Sequence, residues 1–203
     1  MRIKMTLTQK AIDLIKKHGV MRANDFIKAG VPSSILGVLL NKGELIRVDR
    51  GLYTLSEPED ITEYHDLVQV AKRVPSGVVC LMTALGFHEL TTQIPHEVWV
   101  AIDVKARKPK IEYPPVHIVR FSGKALQYGV EKHVIEGLEV GITSIAKTVA
   151  DCFKYRNKIG IDIAIEALRD TLRNRAATSD EIWNAAKVCR VASVMKPYLQ
   201  ALM

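Results

Sequence analysis

Three stretches of helical periodicity, each closed by a glycine, are followed by strict alternation, and this order constrains the fold more than any other feature of the chain. Leu7, Ala11, Leu14 and Ile15 fall at i, i+4, i+7 and i+8, the apolar stripe of a helix, with Thr8 as its cap and Gly19 as its stop. A second helix is expected from about Ala23 to Ala29, burying Phe26 and Ile27, with Gly30 as the small residue of a tight interhelical turn. Pro32 suits the first turn of a third helix, where its missing N–H costs nothing. Leu36, Leu39 and Leu40 form the inner face of that helix and Gly43 ends it, which leaves Ser33, Ser34, Gly37 and Asn41 largely on the opposite face. After Gly43 the period becomes two. Leu45, Arg47 and Asp49 alternate with Glu44, Ile46 and Val48, and Asp49-Arg50-Gly51 reads as a tight turn into Leu52-Tyr53-Thr54-Leu55, a β-hairpin.

Three helices and then a hairpin is the order of a winged helix-turn-helix, in which the third helix enters the DNA major groove and the hairpin tip meets backbone or minor groove. Charge falls in the same place. Residues 1–56 hold ten Lys and Arg against four acids, a net +6 of the chain's +7, and the remaining 147 residues carry +1. A basic segment beside a near-neutral one suits a polyanionic partner. On this reading Ser33, Ser34 and Asn41 face bases, while Arg22, Lys42, Arg47 and Arg50 meet phosphates. A protein-binding module with ordinary solvated cations is the competing reading of the same helices and hairpin.

Ser56-Glu57-Pro58-Glu59-Asp60 is an acidic linker with a proline, so the boundary is placed between a 1–56 domain and a 61–203 domain. In the latter the pattern predicts a helix from about Thr62 to Arg73 burying Leu67, Val70 and Ala71, a strand at Val78 to Leu81 and a short helix at Thr83 to Leu90. Further strands are expected at Val98 to Ile102, Val116 to Phe121 and Val134 to Val140. Ser144 to Tyr155 and Ile161 to Leu172 are amphipathic helices, Thr178-x-x-Glu181 is a capping box opening another, and a last helix covers Val191 to Leu202. The expected fold is therefore α+β: a winged helix-turn-helix, then a mixed α/β domain with a helical C-terminal end.

Several segments resemble the AbiE-type antitoxins, transcriptional regulators encoded with abortive-infection toxins. Leu36-x-x-Leu39-x-x-x-Gly43-x-Leu45-x-Arg47 and Arg50-Gly51-x-Tyr53 look like that family's N-terminal winged helix. Leu81-x-Thr83-Ala84-Leu85-x-x-His88 and Pro95-His96-Glu97-Val98-Trp99-Val100-Ala101-Ile102 are similar to the core of its C-terminal domain. Ile142 to Asp151 resembles a later helix of the family, with Lys147 where an arginine often precedes the Thr. The substitution keeps the charge and loses the planar fork. The resemblance implies an autorepressor that binds inverted repeats in its own promoter as double-stranded DNA. It also implies an antitoxin in phage defence that counters a nucleotidyltransferase-like toxin, without requiring a stable complex with it. A plain repressor with no toxin to neutralise is the alternative.

No phosphate-binding Gly-rich loop, nucleophile elbow or zinc-spaced histidine pair occurs, so no cofactor, metal or enzymatic activity is expected. The best enzymatic candidate is Asp103-Val104-Lys105 at a strand end, a metal-dependent nuclease arrangement. Glu97 lies six residues upstream, about 20 Å away along a strand, too far to share a metal. Lys105, Arg107, Lys108 and Lys110 read either as a second nucleic-acid contact or as a solvated loop. Cys80, Cys152 and Cys189 have no disulfide or metal spacing and are expected to be small buried residues. The most apolar run, Gly77 to Phe87, is short of the roughly 18 residues of a membrane span. With no apolar stretch after Arg2 and Lys4 to make a secretory signal, a cytoplasmic protein without a membrane partner is expected.

Overall fold

The computed structural model describes residues 6–56, 62–93 and 95–202. The leader expectation at 1–5, most of the linker (57–60) and residue 61, where the second domain is expected to start, lie outside the described residues. The fold is mixed α+β with two sheets and forms two compact units. One comprises Met1–Lys72 with Val134–Glu139, and the other Arg73–His133 with Val140–Met203. The first unit thus runs past residue 56 and takes in a second, distant segment.

In the first unit α1 (Leu7–His18), β1 (Val20–Arg22), α2 (Ala23–Lys28), α3 (Ser33–Asn41), β2 (Leu45–Asp49) and β3 (Leu52–Leu55) follow in order. The cap of α1 is Thr6, not Thr8: its backbone is still extended and its Oγ1 accepts the Gln9 N–H at 3.1 Å. Ala11 and Ile15 are buried as expected, whereas Leu7, at the helix's first residue, lies beyond the buried stripe and is exposed. Helix α2 is only six residues long; Phe26 points into the core, so Ile27, one residue and about 100° further round, points out. Pro32 is the residue before α3 rather than within its first turn, because its ψ of 149° is extended. Strand β1 is too short for alternation to reveal it. It lies antiparallel to β3, giving the sheet order β1-β3-β2 with Arg22 opposite Leu52 and Arg47 opposite Tyr53. Ala11, Ile15, Met21, Phe26, Val31, Leu36, Leu39, Leu45 and Leu55 make one core.

The remaining elements are α4 (His65–Arg73), β4 (Val78–Val79), α5 (Leu81–Phe87), β5 (Val98–Asp103), β6 (Val116–Phe121), α6 (Lys124–Gln127), β7 (Val130–Ile135) and β8 (Leu138–Thr143). The helices α7 (Ile145–Lys154), α8 (Arg156–Ile159), α9 (Ile161–Arg173), α10 (Ser179–Cys189) and α11 (Ala192–Leu202) complete the chain. The second sheet has the order β6-β5-β4-β8-β7, with β4 antiparallel to β5 and the β4–β8 and β5–β6 pairs parallel. Helix α4 starts three residues later than expected; it buries Val68 and Gln69 with Leu67 and Val70, while Ala71 is half-buried.

Three further expectations are corrected. Strand β4 is two residues long, and Leu81 opens α5 instead of closing a strand. The single strand expected at Val134 to Val140 is a hairpin, because Glu136 (φ 48°) and Gly137 (φ 75°) both take the left-handed conformation of a two-residue turn. Helix α7 is buried from Lys147 to Phe153, its polar residues included, rather than presenting a solvent face. It packs against α5, α9 and α10 in a core that includes Cys80, Cys152 and Cys189, all buried and free.

Candidate nucleic-acid interface

Leu36 and Leu39 anchor α3 in the core of the first unit and fix which of its residues face out. Ser33, Ser34, Val38 and Asn41 are exposed and Gly37 is half-exposed. Ser34, Val38 and Asn41 stand at i, i+4 and i+7, on one face; Ser33 lies about 100° round from Ser34. Lys42, just past the helix end, is exposed and 4.0 Å from Glu44, a surface contact of little energetic weight.

The chain turns directly from α3 into the hairpin, where the Glu44 N–H bonds the Leu39 carbonyl. A register shift between Arg47 and Asp49 bends β2 at its end. The Asp49 carboxylate accepts the Arg50 N–H at 2.6 Å, and the Arg47 Nε donates to the Asp49 carbonyl at 3.2 Å. Gly51 (φ 72°) closes the turn. These bonds fix the backbone of the tip, where Arg47 and Arg50 are exposed. Arg47 spends one of five N–H donors on the turn itself.

Arg22 reaches the same end of the sheet through its pairing with Leu52, and the following N–H, of Ala23, bonds the Gly51 carbonyl. Its role there is partly structural: the Arg22 guanidinium donates to the Lys72 carbonyl, and its backbone N–H is bound by the Asp25 carboxylate at 3.1 Å. Lys72, which the sequence did not single out, is half-buried. Burial pushes its ammonium below the usual lysine range, with Asp25 opposing and Arg22 adding to the shift.

In the second unit Lys105, Arg107, Lys108 and Lys110 are all exposed on the loop after β5. Arg120 on β6, overlooked in the sequence, organises the base of this loop. Its Nη1 donates to the carbonyls of Asp103, Val104 and Ala106 at 3.0, 2.9 and 2.9 Å. The Asp103 carboxylate accepts the Lys105 N–H at 2.8 Å, the bond of a turn-forming aspartate. Glu97 bonds His117 at 3.2 Å, and His117 stacks on Trp99 with centroids 3.8 Å apart. Glu97 and Asp103 therefore sit in separate local networks.

A cavity of about 440 Å³ in the second unit is lined by His88, Glu131, His133, Ser144 and Glu181 among others. His88 is tied to the fold, its Nε2 donating to the Thr143 carbonyl at 2.7 Å; burial holds its pKa below the ordinary histidine value. Glu181 is held by Thr178 at the start of α10, which lowers its pKa. Among the described residues, no three His, Cys, Asp or Glu side chains cluster so as to hold a metal ion, and no helix is long and apolar enough to cross a membrane.

The chain is a mixed α+β protein with two sheets, and comparison with known proteins places that fold but no family. No family model matches it, and no curated protein matches it in sequence. Its fold is similar to that of the RV2827C protein from Mycobacterium tuberculosis, seen in a crystal structure. The TM-score is 0.61 and the identity 14%, covering 99% of this chain and 81% of that one.

Proposed function

We propose that the first unit is a winged helix that binds double-stranded DNA, and that the protein is a cytoplasmic transcriptional autorepressor acting on inverted repeats in its own promoter. The observation that carries this reading is the pairing of the exposed Ser33, Ser34 and Asn41 of α3 with an exposed arginine tip at Arg47 and Arg50, in the segment holding +6 of the chain's +7. Ser33, Ser34 and Asn41 face the bases. Arg47 and Arg50 meet phosphates, with Lys42 and Arg22 beside them. The loop of Lys105, Arg107, Lys108 and Lys110 makes a second nucleic-acid contact; its four exposed cations support this, and the Arg120 clamp fixes where the loop leaves β5. The antitoxin half of the function, against a nucleotidyltransferase-like toxin encoded beside it, rests on the sequence resemblance to AbiE-type antitoxins.

Fluorescence anisotropy with the protein's own upstream DNA and a scrambled duplex, across a salt series, tests the reading. Sequence-specific binding with a steep salt dependence, weakened and made less salt-dependent in the Arg47→Ala, Arg50→Ala double variant, is the expected result. Absent binding, or equal binding to both duplexes, overturns it. Co-expression with the neighbouring gene tests the antitoxin half: growth arrest caused by that gene alone is relieved by this protein.

A further inference from the structure

Gly37 costs α3 stability, and neither packing nor backbone conformation inside the protein accounts for it. Gly37 stands in mid-helix, where glycine is among the poorest formers, yet a Cβ built on it meets nothing within 4 Å. Neither packing nor an unusual φ calls for glycine there. Val38, beside it, is β-branched and 44% exposed. Single exposed apolar side chains are ordinary, and Leu7, Ile27 and Ile46 are others in this unit. Val38 differs in its neighbours: it sits at the centre of the polar face, with Ser34 one turn before it and Asn41 one turn after. A missing side chain lets a backbone approach another surface closely, and an exposed branched methyl pair beside it supplies an apolar contact.

Resting on the DNA-binding reading above, we propose that Val38 and Asn41 set the base preference of α3: Val38 packs on the C5-methyl of a thymine, and Asn41 bonds the N6 and N7 edge of an adenine. The major groove offers a methyl group only at thymine, and a carboxamide matches the donor–acceptor pair of adenine alone. Residues three apart on a helix have Cβ atoms about 5–6 Å apart. Base pairs rise about 3.4 Å. The two A·T pairs read are therefore one or two steps apart. Gly37 lets the helix axis come close enough for the short Val38 side chain to reach the methyl group.

The test uses the full-length protein and its upstream DNA. Footprinting locates the protected half-sites, and each thymine within them is then replaced singly by deoxyuridine, which removes only the C5-methyl. One thymine per half-site is expected at which the replacement raises Kd about fourfold, the size of one buried methyl group. Val38→Ala weakens binding to the natural site by a similar factor and is indifferent to deoxyuridine at that position. Asn41→Ala, with 7-deazaadenine substituted in turn at each adenine, identifies the second base in the same way. Gly37→Ala raises the melting temperature while weakening specific binding. Specific binding that tolerates deoxyuridine at every thymine overturns the proposal and leaves the DNA-binding reading standing. So does a Val38→Ala variant as sensitive to deoxyuridine as the natural protein, since the effect is then one of DNA shape. Absence of specific binding to the natural duplex overturns both.

Discussion

Lys147 and Asp151 form an ion pair from which solvent is excluded. The Lys147 ammonium donates to one Asp151 oxygen and lies 4.5 Å from the Phe121 ring centre; the other oxygen accepts the Cys189 thiol at 3.2 Å. Burial raises the Asp151 carboxyl above its ordinary range against the pull of Lys147, and burial beside Asp151 pushes the Cys189 thiol up to about 12, so it remains a donor. Breaking such a pair strands a charge. Asp151→Ala is expected to cost about 3–5 kcal/mol in urea denaturation, and joint replacement by Lys147→Met and Asp151→Leu far less, since apolar groups of similar volume leave no charge behind. The sequence hides this arrangement, because Lys and Asp four apart on a helix is also the commonest pattern of a solvated face. His88 carries a pH dependence of defined sign. Its folded pKa lies below the ordinary value because burial disfavours the charged ring, so on acidification the unfolded chain takes up this proton first. Its contribution is complete above about pH 6.5 and is lost as pH falls through that value towards the lower folded one. Melting temperatures at pH 7.5 and 5.5 should show a smaller acid drop in His88→Gln than in the natural protein.

The elements recovered from sequence are those whose ends carry their own chemistry. Thr178 caps α10 and Glu181 bonds back to it, as the spacing implies. Thr178→Ala is expected to cost about 1 kcal/mol, measured by thermal or chemical denaturation. The elements misread are those defined by a partner rather than by a local signal. Strand β1 exists through its pairing with β3, and β4 through its neighbours β5 and β8. The β7–β8 turn does have a signal, but glutamate before glycine is a poor one, since asparagine or aspartate takes the left-handed conformation more readily. Tertiary contact holds Glu136 there: its carboxylate accepts the Thr62 N–H and hydroxyl at 3.0 Å each and bonds His65 at 2.8 Å. Gly137 is fixed by the same packing. Its φ is 75°, and a Cβ on it falls 2.0 Å from the Lys17 carbonyl oxygen. Gly137→Ala should therefore destabilise by upwards of about 2 kcal/mol, through left-handed strain and a clash with backbone that cannot rotate away. A urea midpoint checks it.

Across the whole molecule, the charge asymmetry was legible at once, and so were most of the exposed candidates it pointed to. Ser33, Ser34, Asn41, Lys42, Arg47 and Arg50 are exposed where the pattern put them. Arg22 is exposed too, but its bond to the Lys72 carbonyl depends on contacts fifty residues apart in sequence. The two chemistries on the first unit make separable predictions. On the proposed reading Arg47 and Arg50 act on phosphate charge, which every sequence shares. Removing both should weaken specific and scrambled duplexes alike and flatten the slope of log K against log salt by about 1.8, at about 0.9 per phosphate contact. Asn41 presents a neutral amide, so Asn41→Ala should leave that slope unchanged and narrow the ratio between specific and scrambled binding by at least about fivefold. On the same reading the four cations at Lys105 to Lys110 act with the arginines: their joint replacement by alanine should flatten the slope further without altering the ratio. If the slope does not move, this loop is solvated surface and the contact with DNA belongs to the first unit alone. If the ratio moves instead, the second unit takes part in reading sequence, and the base preference assigned to α3 is shared with it.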